Sequence, residues 1–104
     1  METFRVQGKA TGRAPGERPY ALVGVNASGD LEVLVERVLP DGECTVEVAT
    51  QVVGFRDVWQ AVIEDFFDRA PVGGLRFSIN DGGARPNTVS LRLMQASRSI
   101  EVEP

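Results

Sequence analysis

The chain has 104 residues and a mass of 11.3 kDa, room for one domain with one core and no deep catalytic cavity beside it. Hydrophobic residues make up 42% and charged residues 25%, which excludes wholesale disorder, and 11 Lys and Arg against 15 Asp and Glu leave a net charge of −4. There is no histidine, which removes Ser-His and Cys-His nucleophiles and His metal sites, and one cysteine leaves neither an internal disulfide nor a Cys-rich metal cluster.

Residues 2–7 fit a short strand, and the Gly- and Pro-rich run from Gly8 to Pro19 reads as a loop. Tyr20 to Val25 is a short apolar strand, followed by a cluster of turn-forming residues, Asn26-Ala27-Ser28-Gly29-Asp30. From Leu31 to Leu39 the chain alternates, with Leu31, Val33 and Val35 on one face and Glu32, Leu34 and Glu36 on the other. Pro40-Asp41-Gly42 signals a turn, and Cys44 to Val53 alternates again, so these two runs are expected to pair as a hairpin. At Gly54 the period changes. Phe55, Val58, Trp59, Val62, Ile63, Phe66 and Phe67 form a helical stripe expected to be buried, with Arg56, Asp57, Gln60, Glu64, Asp65 and Asp68 opposite. Pro71 and Gly73-Gly74 end that helix. Leu75 to Asn80 is a further strand, Asp81-Gly82-Gly83 a turn, and Pro86 opens a second helix through Arg98 with Val89, Leu93 and Ala96 on one face. Residues 99–104 are expected to be a loose tail. The expected fold is α+β: a single two-layer domain over 1–104, with two helices packed on a small, mostly antiparallel sheet.

The cations are ten arginines and Lys9, scattered with no basic stripe and no aromatic ladder, which argues against nucleic-acid binding. The first ten residues lack the charged and apolar regions of a signal peptide, and no apolar run approaches the ~20 residues of a membrane span. A soluble, cytoplasmic protein is expected.

Few segments offer chemistry. Ser28 sits between Ala27 and Gly29 in a strand-to-strand turn, with Asp30 two residues on. It reads either as part of a polar hairpin turn or as an acceptor for covalent modification, which needs an exposed hydroxyl and small neighbours but no local base. Asn80-Asp81-Gly82-Gly83 reads as a phosphate or metal cradle, or as a turn in which Asp81 caps the following backbone. Cys44 lies on an apolar strand face, where a free cysteine behaves as a small core residue. Glu64, Asp65 and Asp68 are more simply a solvated helix face than metal ligands; no metal site is expected.

Three blocks carry a resemblance. The run Asn26-Ala27-Ser28-Gly29-Asp30-Leu31-Glu32-Val33-Leu34 resembles the SGDLEVL segment of the malonate decarboxylase acyl carrier proteins, or delta subunits. Gly54 to Trp59 resembles that family's helix start, and residues 79–96 resemble its C-terminal signature, IND-x-GA-x-P-x-x-V-x-LRL-x-QA, with Arg85 where the family usually has threonine. The resemblance covers roughly residues 20–98. It implies a non-catalytic carrier subunit of the biotin-independent malonate decarboxylase. Ser28 is the position that implies covalent attachment, by a phosphodiester, of 2′-(5″-phosphoribosyl)-3′-dephospho-coenzyme A, with Gly29 and Asp30 beside it. The group's thiol would carry acetyl or malonyl as a thioester. The implied partners are an acyltransferase (alpha) subunit, decarboxylase (beta and gamma) subunits and a prosthetic-group transferase, with no nucleic acid and no membrane. The alternatives are the carrier of citrate lyase, with the same group and another acyl cycle, and an unmodified interaction subunit.

Overall fold

The computed structural model describes residues 1–101. Five strands and two helices follow in the order β1 (Glu2–Lys9), β2 (Tyr20–Gly24), β3 (Leu31–Arg37), β4 (Glu43–Thr50), α1 (Arg56–Arg69), β5 (Leu75–Asp81) and α2 (Pro86–Glu101). The sheet order is β1-β4-β5-β3-β2; the β4–β5 pair is parallel and the other three pairs are antiparallel. The α+β expectation of a mostly antiparallel sheet under two helices therefore holds.

Period-2 alternation builds the core directly. Val6, Val46, Phe77, Val35 and Ala21 stand in register across all five strands, and all are buried. Phe4, Val48, Ile79 and Val33 form the next row. Burying these rows on one face leaves the other to Arg5, Glu47, Arg76 and Glu36, which pair as Arg5–Glu47 at 2.9 Å and Arg76–Glu36 at 3.0 Å. On the apolar face α1 lies over β1, α2 over β2 and β3, and the helices touch each other. Phe66 sets its edge against Phe77, ring centroids 5.3 Å apart.

The expected hairpin between the runs at 31–39 and 44–53 does not form. The turn itself is there, with Glu43 N–H donating to the Pro40 carbonyl at 3.0 Å. The strands that leave it diverge because Gly74 enters between them. Its carbonyl accepts from Val38 (3.1 Å) and Leu39 (3.0 Å), and its N–H donates to Glu43 at 2.8 Å. From that wedge β5 runs between β3 and β4 and pairs with both. Gly73 makes the entry possible, since a Cβ there would run into the Asp41 carbonyl oxygen and lie 2.6 Å from that of Gly12. The Gly73-Gly74 pair, read as a helix stop, is the point where the last strand splits an apparent hairpin.

Two further expectations are corrected. Helix α2 continues past Arg98 to Glu101, and Ile100 is fully buried, so residues 99–101 belong to the core-packed helix; residues 102–104 lie outside the described residues. The apolar stripe of α1 is buried only from Trp59 onward. Trp59, Ile63, Phe66 and Phe67 reach the core, while Phe55 and Val58 keep 52% and 42% of their surface exposed. The loop from 10 to 19 is held by Arg37, whose guanidinium donates to the carbonyls of Ala14 (2.6 Å), Pro15 (2.9 Å), Arg18 (3.1 Å) and Ile100 (3.2 Å).

Candidate functional site

Strands β2 and β3 are joined by residues 25–30. Asp30 N–H donates to the Ala27 carbonyl at 3.0 Å, closing a β-turn with Ser28 and Gly29 at its centre. Gly29 has φ 77 and Ser28 does not have positive φ, the signature of a type II turn, in which the third residue is normally glycine. Ser28 thus occupies an exposed corner. Apart from its chain neighbours, nothing lies within 4 Å of where a Cβ on Gly29 would be, so the space beside Ser28 on that side is open.

The turn is braced from below by residues more than 50 positions away. Gly29 N–H donates to the Gly82 carbonyl (3.1 Å) and Gly82 N–H donates to the Asp30 carbonyl (2.9 Å). This backbone contact requires glycine: a Cβ at Gly82 would stand inside contact distance of the Ala27 carbonyl oxygen and 2.8 Å from its carbon. The second brace is an ion pair. Arg92, on α2, grips Asp30 with both arms of its fork, Nε to Oδ1 at 3.0 Å and Nη2 to Oδ2 at 2.7 Å. Asp30 Oδ1 also accepts from Leu31 N–H at 2.7 Å, and Gln95 Oε1 accepts from Arg92 Nη1 at 2.9 Å. The Arg92 hydrogen bonds first, and the Leu31 N–H second, hold the Asp30 carboxyl below its ordinary value of 3.8, and the same pairing raises Arg92. Asp30 is therefore committed to shaping the turn.

Asp81 is equally committed. Its Oδ2 accepts from Thr50 Oγ1 at 2.7 Å and its Oδ1 from Ala84 N–H at 2.9 Å, so the buried carboxylate shapes the β5–α2 loop, as the cap reading of Asn80-Asp81-Gly82-Gly83 expects. Cys44 is buried against the Gly8 carbonyl, and burial pushes its thiol up to about 11, the opposite of a reactive thiolate. Asp65 is paired with Arg69 at 3.0 Å on the solvent side of α1.

The contiguous block Ser28-Gly29-Asp30 is where the sequence reading put it. Its supports fall within the C-terminal block: Arg92 and Gln95 are letters of the signature and Gly82 stands at its first variable position, and the pattern alone does not say what any of them touches. A hint was available in the pattern: Arg92 sits one residue before Leu93 of the buried stripe, at its border, where a long cation can reach across to a loop.

Beyond the Asp81–Ala84 loop lies a second feature, an open groove of about 340 Å³ lined by Val52, Phe55, Val58, Trp59, Val62 and Val89, with Arg85 and Pro86 also on its wall. No helix among the described residues is long and apolar enough to cross a membrane.

Residues 19–100 match the malonate decarboxylase delta subunit family. The chain is 61% identical over 100 residues to the malonate decarboxylase acyl carrier protein of Bradyrhizobium diazoefficiens, covering 96% of this chain and 95% of that one. It is 53% identical over 103 residues to that of Xanthomonas euvesicatoria pv. vesicatoria, covering 97% and 96%. A crystal structure of a Pseudomonas malonate decarboxylase hetero-tetramer in complex with malonate contains a chain of the same fold, with a TM-score of 0.84 at 42% identity over 96% of this chain and 99% of that one. Sequence and fold agree over nearly the whole length, and the chain belongs to the malonate decarboxylase delta subunit family of acyl carrier proteins.

Proposed function

We propose that the chain serves a malonate decarboxylase complex as its carrier and that Ser28 is the attachment point of 2′-(5″-phosphoribosyl)-3′-dephospho-coenzyme A. The observation that carries this reading is the serine corner itself: an exposed hydroxyl on a turn whose shape is held by Gly82 and by the Arg92–Asp30 pair. A bulky group fits there, because the space beside Gly29 is open. When bound, the group supplies a terminal thiol that holds acetyl or malonyl as a thioester, and the protein's part is attachment and presentation.

Rigidity at this corner matters more than reactivity. The modifying transferase brings its own chemistry, so Ser28 needs no neighbouring base. It does need a backbone that does not collapse when another active site closes over it. Arg92 and Gly82 provide that from the core side, leaving the outward side clear. Tethering at one point keeps the acyl group at high local concentration for successive partners. Likeness to a chain of the Pseudomonas hetero-tetramer supports partner subunits in a complex; following the family resemblance, we assign them as an acyltransferase subunit, two decarboxylase subunits and, beforehand, the transferase, all in the cytoplasm. The carrier itself makes and breaks no bonds.

The test is intact mass. Chain co-expressed with the transferase and its donor gains the mass of the group, mapped to the peptide containing Ser28. Ser28→Ala folds with a stability within about 0.5 kcal/mol of the parent, gains no mass and leaves the assembled complex without malonate decarboxylation. Mass gain in Ser28→Ala, or full activity, would refute the assignment. No gain in the parent under the same treatment would point instead to an unmodified interaction subunit.

A further inference from the structure

The groove beside the serine turn has no use in the core. Phe55 and Val58 break the rule that a helix stripe is buried, and Val52, 40% exposed, joins them. Its volume of about 340 Å³ falls in the range of small-ligand sites, roughly 300–1,000 Å³. The Asp81–Ala84 loop has the serine turn on one side, through Gly82, and the groove on the other, where a Cβ on Gly83 would be 3.9 Å from Val52 Cγ2. Arg85 lines the groove, is exposed, and makes no ion pair or side-chain hydrogen bond among the described residues. The acidic group of the wall, Asp81, has both oxygens engaged by Thr50 and Ala84. An apolar slot with an uncommitted cation suits a short acyl chain that ends in a carboxylate.

We propose that this groove is a resting berth for the acyl end of the carrier's own arm, its apolar wall taking the thioester and Arg85 pairing with the malonyl carboxylate. The proposal rests on attachment at Ser28. Its energetics need only be weak. A short flexible tether supplies an effective concentration in the millimolar range, so a site that binds the free acyl end with millimolar affinity is about half occupied in the tethered form. An occupied berth keeps the thioester from water between partners and releases it at little cost when an active site competes.

Trp59 is the chain's one tryptophan and lines the groove, so it reports directly. Unmodified full-length chain is titrated with free malonyl-pantetheine and acetyl-pantetheine, following Trp59 emission and the amide resonances of Val58 and Val89. Both probes are expected to bind at millimolar concentration, malonyl more tightly by about two- to fivefold, the strength of an exposed ion pair. Arg85→Gln should abolish that preference, and Val58→Glu should abolish both responses while leaving the melting temperature near that of the parent. Chain loaded at Ser28 and acylated should show the Val58 and Val89 amides moved about halfway to their probe-saturated positions, and the free probe should bind it about twofold more weakly than it binds the unmodified chain. If neither probe moves Trp59 or the groove amides, while mass spectrometry confirms loading at Ser28, the berth is refuted and the groove is left to a partner subunit. Retained probe binding in Val58→Glu refutes it as well. Failure of Ser28 to load refutes the attachment reading, whereas the response of unmodified chain to the free probes reports on the groove alone.

Discussion

Gly82→Ala tests whether the serine turn is held from below. The new methyl group would stand 2.8 Å from the Ala27 carbonyl carbon, against the 3.5–4.0 Å at which carbon contacts settle, so that carbonyl must retreat by roughly 0.7–1.2 Å. Ala27 cannot retreat alone. Its carbonyl accepts from Asp30 N–H, and Asp30 is gripped by Arg92, so outward movement strains the turn, the ion pair and the two backbone bonds between 82 and 29–30 together. Overpacking of this kind costs about 1–3 kcal/mol, which lowers the melting temperature of a domain this size by roughly 5–15 °C. Two other glycines separate the causes. Gly42→Ala has neither a clash nor positive φ and should be within about 0.5 kcal/mol of the parent. Gly29→Ala has no clash but sits at φ 77 and should cost about 1 kcal/mol. The assay is thermal unfolding of the three variants, with loading by the transferase followed by mass in parallel. Gly82→Ala should be the least stable and the slowest to load. A melting temperature equal to that of Gly42→Ala would show that the turn yields freely and that the brace is an incidental contact.

Three other outcomes follow from the packing and the charges. Phe66→Ala, which empties the space against Phe77, should cost about 3–5 kcal/mol, whereas Phe55→Ala should stay within about 0.5 kcal/mol, because only the first ring is in the core; denaturant unfolding of the pair checks it. Asp30 has a lowered folded value, so its contribution is present above its ordinary 3.8 and is lost as pH falls through the lowered one; Arg92→Met should move its titration up toward 3.8 by carboxyl NMR and flatten the acid limb of stability. Cys44 is shifted the other way, from 9.0 to about 11, so stability should be intact below pH 9, fall by about 3 kcal/mol as pH rises to 11 and then level, a decline that Cys44→Ala should remove.

Much of this molecule is written in local pattern. Alternation at 31–35 and 75–79 and the 3.6-residue repeat from Trp59 to Phe67 determine strand, strand and helix, because each pattern buries one face only in its own conformation. The serine corner is local in its residues, since Ser28, Gly29 and Asp30 are neighbours in the chain and the glycine at φ 77 is the turn's own conformational requirement. Partners across the sheet are not local. Nothing in 31–53 distinguishes a hairpin from two strands waiting for a third, and the choice lies with Gly73-Gly74, which alone lets the backbone enter between them. Likewise Phe55 and Phe66 obey the same periodicity, and only the reach of the sheet and α2 decides that one ring is core and the other lines a groove. The brace under Ser28 is the extreme case. Asp30 and Arg92 are 62 positions apart, and a charge pair at that separation has no sequence signal of its own; it exists because α2 is laid across β3 by the apolar face on its other side.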